Sequence, residues 1–200
     1  MTVISLRKKY IFIANMKTAS TTIHHLLKKD NPDIISFKSV HTKPIGKHDN
    51  YIKIKNYLKY LNYNIDDFYI FGFIREPSDR LISCFKHDIK GNYINKKYGL
   101  HLGLNQNSLS FYIENGLEQH FRPFKFMFCN ENGYLPNNVK IFKYENLSNA
   151  INEIFNNINV KIPNKIPMKN NSELKIKLSI NNSLKNIIKN RYKFDCEKYI

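Results

Sequence analysis

Residues 11–22 read IFIANMKTASTT, an apolar run followed by a loop of small and hydroxyl residues around one lysine. The apolar part reads as a buried strand, and TTIHHLLKK reads as the start of a helix. A strand, a short loop and a helix together aim backbone N–H groups at a phosphate, because the first N–H groups of a helix have no intrahelical partner. Lys17 adds a full charge at the same place. The segment therefore points to a phosphorylated or sulfated nucleotide. It is not a Walker A loop: G-x-x-x-x-G-K-[ST] needs two glycines before the lysine, and no glycine occurs here. An ordinary ATP or GTP site is disfavoured. For the loop alone a second reading stays open, a polar connection whose Ser or Thr merely caps the helix.

Further elements follow from periodicity. Residues 10–14 read as the first strand and 21–29 as the first helix, with a short strand at 34–37. Tyr51, Ile54, Tyr57, Leu58 and Leu61 recur at helical spacing. FYIFGFI, residues 68–74, is a continuous apolar run of the kind a buried parallel strand needs. Pro77 suits the first turn of a helix whose apolar face is Leu81, Ile82, Cys84 and Phe85. Residues 91–107 read as a loop, and 109–115 and 119–128 as short helices. Residues 139–142 form another strand, 147–157 an amphipathic helix, 159–175 an extended loop and 184–192 a last helix. The alternation predicts an α/β fold, a P-loop-like three-layer α/β/α arrangement around a central, mostly parallel sheet. Ligands of such folds sit at the carboxyl ends of the strands. Lys17 and Arg75 both lie just beyond predicted strands.

Two hundred residues suit one domain spanning the whole chain. No apolar stretch reaches the roughly 18–20 residues of a membrane span. The three cysteines form no CxxC pair and no metal spacing. A reducing compartment is the simplest inference, with a Cys129–Cys196 disulfide as the open alternative. The formal charge of +16 fits an anionic partner, but the heavy use of Lys, Asn and Ile also fits an AT-rich coding sequence. Charge alone decides little.

A second motif changes the weight of the first. FIREPSDRLISCF, residues 73–85, places Arg75 at a strand end and Ser83 on the following helix. A guanidinium fork grips a phosphate bidentately, and a hydroxyl adds one more bond. Arg80 reads as a structural partner of Glu76, Asp79 or Glu145.

Here the residues reach a family. IFIANMKTASTTI resembles the 5′-phosphosulfate loop of sulfotransferases, I-P-K-T-A-G-T-S, and FGFIREPSDRLISCF resembles their 3′-phosphate element, F-V-R-x-P-x-x-R-L-x-S. VHTKPIGKHDNYIKIKNYL is similar to the H-A-T segment and helix of the carbohydrate sulfotransferase branch. IFKYENL resembles its later strand, and NRYKFDCEKY its closing Y-x-x-D-x-x-x-[FY] helix. Two departures stand out: Met16 replaces the usual proline and Ser20 the usual glycine, so the loop conformation around Ser20 is in question.

The resemblance implies 3′-phosphoadenosine 5′-phosphosulfate as donor and adenosine 3′,5′-bisphosphate as product, with no metal. It implies that Lys17 contacts the 5′-phosphosulfate and stabilises charge on the leaving phosphate. The N–H groups of Thr18, Ala19, Ser20, Thr21 and Thr22, with the Thr21 and Thr22 hydroxyls, would cradle the same group. Arg75 and Ser83 would bind the 3′-phosphate, which ATP lacks. The chemistry agrees, since sulfuryl transfer moves negative charge onto the leaving phosphate. A unit charge at about 4 Å interacts by roughly 4 kcal/mol at an effective dielectric near 20. His41 is the first candidate for general base, with loop ordering or acceptor positioning as the alternative role. His48, Asp49 and Glu76 rank below it, and His24 and His25 read as structural or surface groups. The basic stretch at 86–107 fits either an anionic glycan or solvent.

The expected partners are the nucleotide donor and a hydroxyl acceptor, carbohydrate first, with no nucleic acid and no membrane span. The expected location is cytoplasmic, bacterial or viral, or the Golgi lumen for a trimmed eukaryotic chain. The rivals are a P-loop nucleotide kinase or NTPase, and a non-enzymatic binder of anionic glycan or nucleic acid.

Overall fold

The computed structural model describes residues 1–29, 34–36, 46–161 and 177–199. β1 (Val3–Ser5) and β2 (Tyr10–Ile13) are followed by α1 (Ser20–Lys29), β3 (Ile34–Ser36), α2 (Tyr51–Tyr60) and β4 (Tyr69–Ile74). Next come α3 (Pro77–Lys90), α4 (Tyr93–Tyr98), α5 (Gln106–Glu114) and α6 (Phe124–Phe128). β5 (Val139–Lys143), α7 (Leu147–Asn157), α8 (Asn182–Arg191) and α9 (Lys193–Tyr199) complete the order. The chain divides into two compact units, Met1–Ile74 with Phe124–Asn171, and Arg75–Pro123 with Ser172–Ile200.

The first unit is built on a sheet of order β3-β1-β2-β4-β5. β2 pairs parallel with β4, and β4 with β5. β1 runs antiparallel to both β2 and β3, so it alone opposes the other strands. The sheet is mostly parallel, as expected, and the fold is α/β. β1 was not foreseen, because three residues are too short for an alternation to register.

Alternating strand residues serve two faces. Phe12, Phe71 and Phe73 face Ile23, Leu26 and Leu27 of α1 and Ile151, Ile154 and Phe155 of α7 in one apolar cluster. Each such fully buried side chain contributes about 1.5–3 kcal/mol. On the other face Ile11, Ile13 and Ile70 are fully buried. Gly72 lies there against the Phe128 ring of α6. Helices thus cover both faces of the sheet.

The second unit packs Leu81, Cys84 and Phe85 of α3 with Tyr112 of α5 and Leu184 and Ile188 of α8. α3 starts as its sequence requires: Pro77 occupies its first turn, and the Glu76 carboxylate caps it by accepting the Asp79 N–H at 2.7 Å. Arg80 is buried at the centre of this unit. Its Nη2 donates to the Arg122 carbonyl at 2.9 Å, its Nη1 lies 3.6 Å from Asp195, and its guanidinium stacks 4.2 Å from the Phe121 ring centroid. Asp195 is a partner the sequence reading did not name.

Two helices differ from expectation. α4 lies inside the stretch read as a loop, since its polar sequence buries only Ile94. The helix expected over 119–128 is confined to α6, because Pro123 has no N–H to continue a helix through it.

A Cβ at Gly72 would lie 2.2 Å from a Phe128 ring carbon. Gly72→Ala is expected to lower the unfolding free energy by about 1–3 kcal/mol. The readout is a lower urea midpoint at unchanged slope; an unchanged midpoint would mean that Phe128 swings aside without cost.

Candidate functional site

β2 ends at Ile13, which lies opposite Gly72 of the parallel strand β4. The loop at 14–19 therefore leaves the sheet at its carboxyl edge, the ligand-binding edge of α/β sheets. Asn15 organises this loop and is fully buried. Its carbonyl accepts the hydroxyls of Thr18 and Ser20, each at 3.0 Å, and its Oδ1 accepts the Met16 N–H at 2.9 Å. Proline, the residue expected at Met16, could not make that last bond. Lys17 and Ala19 adopt φ of 61° and 62°, in the left-handed region. Such a conformation costs a non-glycine residue roughly 1–2 kcal/mol, and strain of this kind concentrates at functional sites. Ser20, where glycine was expected, is not among the positive-φ residues. The loop therefore needs no glycine at that position.

The first bond into α1 runs from the Ile23 N–H to the Ala19 carbonyl at 3.1 Å. The N–H groups of Ser20, Thr21 and Thr22 precede it and have no acceptor within the helix. No acidic side chain lies in the first turn, so the positive end of the helix dipole is not neutralised there. Lys17 is half-buried and Thr21 exposed, while Thr18, Ser20 and Thr22 are buried. These residues fit a phosphate or sulfate group: donors, a cation and no carboxylate. The hydroxyls of Thr18 and Ser20, however, serve the loop itself.

Arg75 follows the last residue of β4 in the chain and belongs to the second unit, as does Ser83 on α3; both are half-buried. Within that unit burial pulls the Arg80 pKa down, while Cys84 and Asp195 oppose the shift. His41 lies outside the described residues, as does the rest of the H-A-T-like segment up to residue 45.

Of the weaker base candidates, His48 touches the start of the loop. Its Nδ1 is 2.7 Å from the Ala14 carbonyl, the residue that leads into the loop. A carbonyl only accepts, so Nδ1 carries the proton, and the basic nitrogen of the neutral ring is Nε2. Asp49 is engaged locally: its carboxylate accepts the Gly46 N–H and lies 3.4 Å from the Lys53 ammonium. Glu76 caps α3. His24 is buried and His25 exposed, consistent with structural and surface roles. Cys84, Cys129 and Cys196 are free thiols. Among the described residues no helix is long and apolar enough to cross a membrane. Sequence reasoning missed Asn15, whose role lies in backbone geometry that no residue spacing signals.

A strained loop at the carboxyl edge of a parallel strand pair, opening into a helix with no acidic residue in its first turn and an adjacent lysine, is a candidate anion site on an α/β fold. The family model described as "Sulfotransferase family" matches residues 2–199, and the chain belongs to that family. Membership carries transferase activity, with a sulfate donor and a hydroxyl acceptor. Among solved structures the chain is similar to a sulfotransferase from Alicyclobacillus acidocaldarius, with 13% identity, a TM-score of 0.46, and coverage of 97% of this chain and 96% of that one. A search of curated proteins found no match.

Because Ala19 holds a positive φ, glycine should relieve it. Ala19→Gly is expected to raise stability by about 0.5–1 kcal/mol in chemical denaturation, the steric relief outweighing the extra freedom of the unfolded chain. A loss of stability would contradict the strained loop.

Proposed function

We propose that this sulfotransferase transfers the sulfuryl group of 3′-phosphoadenosine 5′-phosphosulfate to a hydroxyl of a carbohydrate by in-line displacement. The observation that carries the reading is the start of α1: Lys17 beside helix N–H groups that have no intrahelical acceptor, with no acidic residue in the first turn. The donor, when bound, supplies the sulfuryl group and a phosphate leaving group. Lys17 would stabilise the charge that develops on that phosphate. The N–H groups of Thr18 to Thr22 would hold the same phosphosulfate, and Thr21 and Thr22 would add hydroxyls. Arg75 and Ser83 would take the 3′-phosphate. Carbohydrate is favoured as acceptor because residues 40–58 resemble the H-A-T segment and helix of that branch.

His41 would accept the acceptor's proton. A second reading gives this task to His48, on the strength of its bond to the Ala14 carbonyl. Such a base contributes typically about 10²–10⁴-fold.

Calorimetry with adenosine 3′,5′-bisphosphate against ATP tests the donor: the bisphosphate should bind without Mg²⁺ and ATP weakly or not at all. The reverse order would move the chain to the kinase or NTPase class. Lys17→Ala should lower kcat by about 10²–10³-fold. Arg75→Ala should weaken bisphosphate binding by about 10–100-fold, the loss of a charge-assisted bond. Wild-type behaviour in both variants would defeat the proposal. The base is found by comparing kcat in His41→Ala and His48→Ala at constant bisphosphate affinity; the variant that loses rate, and its acid-limb pH dependence, names the group.

A further inference from the structure

The sequence offers no metal spacing, yet α3 and the segment after α5 bring His87, Asp88 and His120 together within the second unit. Asp88 is fully buried in that unit. One carboxylate oxygen accepts the Tyr112 hydroxyl at 2.6 Å, and the other accepts His120 Nδ1 in a short contact. The His87 and His120 rings meet edge to face, 4.8 Å between centroids at 83°. Tyr93 packs against both rings, at 5.4 and 5.1 Å. One donor atom from each of His87, Asp88 and His120 falls within 4.8 Å of the others.

We propose that His87, Asp88 and His120 form a binding site for a divalent transition-metal ion of the zinc class. Two imidazoles and one carboxylate suit Zn²⁺, Co²⁺ or Ni²⁺, whereas Mg²⁺ and Ca²⁺ prefer all-oxygen sets. Bonds of about 2.0–2.1 Å to a four-coordinate ion place ligand atoms about 3.4 Å apart. The His87 donor must therefore close on the other two by up to about 1.4 Å, while the His120 Nδ1–Asp88 pair, in hydrogen-bond contact without the ion, must open to admit it. The ion takes the Nδ1 lone pair in place of the proton donated to Asp88, and that proton moves to Nε2 of the ring or to solvent. Solvent completes the coordination.

The surroundings already have the form of a metal site's outer layer. Tyr112 fixes the Asp88 carboxylate by donating its hydroxyl to the second oxygen. The Tyr93 ring forms an apolar wall beside both imidazoles. Such outer partners orient ligands and tune affinity. Asp88 supplies the negative charge at this point of a strongly basic chain.

The test uses the full chain after treatment with a chelator. Zn²⁺ is titrated in competition with a chromophoric chelator, and Co²⁺ binding is followed by its visible d–d absorption. One ion per chain should bind with micromolar or tighter affinity, with Co²⁺ giving the intense bands of a tetrahedral site. His87→Ala and His120→Ala should each weaken Zn²⁺ at least about tenfold, while the exposed-histidine control His25→Ala should not. Absence of micromolar binding in the wild-type protein, or binding unaffected by both His87→Ala and His120→Ala, overturns the proposal. The Co²⁺ spectrum needs no variant, so a folding failure in either does not remove the test.

Discussion

The parallel pairing of β2 with β4 is the constraint on which the rest of the site depends. Parallel strands in register end at one edge, and here Ile13 lies opposite Gly72. Whatever follows β2 must start at the carboxyl edge of the sheet. The following chain has six residues in which to turn from a strand into α1. That short turn is made with two left-handed residues that are not glycine, and Asn15 holds it by accepting three hydrogen bonds at its carbonyl and side chain. The strain is local, and the buried bonds around Asn15 offset it. A loop so fixed has little conformational freedom left to lose.

The hydroxyl residues of the loop divide their tasks. Thr18 and Ser20 turn inward to Asn15 and shape the backbone, while Thr21 stays exposed at the helix start. The first turn of α1 carries no acidic side chain. A related division marks the second unit. Arg80, one helical turn into α3, is buried against Asp195, Phe121 and the Arg122 carbonyl. Two motifs distant in sequence, R-x-P-x-x-R and the closing Y-x-x-D, thereby become one packed core. A buried guanidinium needs such partners, because desolvating an unpaired charge costs several kcal/mol or more.

Much of this was legible beforehand. The apolar runs at β2 and β4, Pro77 at the head of α3 and the amphipathic α7 each carry a local signal strong enough to read. The strand–loop–helix order around Lys17 was legible, because its three parts are adjacent in the chain. What stayed hidden had no local signal. β1 is three residues long and is stabilised by two neighbouring strands. α4 is polar over most of its length. The Asn15 contacts are made by backbone atoms, and the His87–Asp88–His120 cluster joins residues about thirty positions apart.

The sequence by itself determined the alternation of elements, the family, and the chemical character of the loop, because all three rest on hydrophobic period and on neighbouring residue types. Only the tertiary structure decided which hydroxyls face the protein, where the backbone strain sits, and that Asp195 closes on Arg80. It alone brought two histidines and a buried carboxylate together. The physical reason is that these features are pairings between distant segments: packing, desolvation and hydrogen-bond satisfaction fix them, and spacing along the chain carries no record of them.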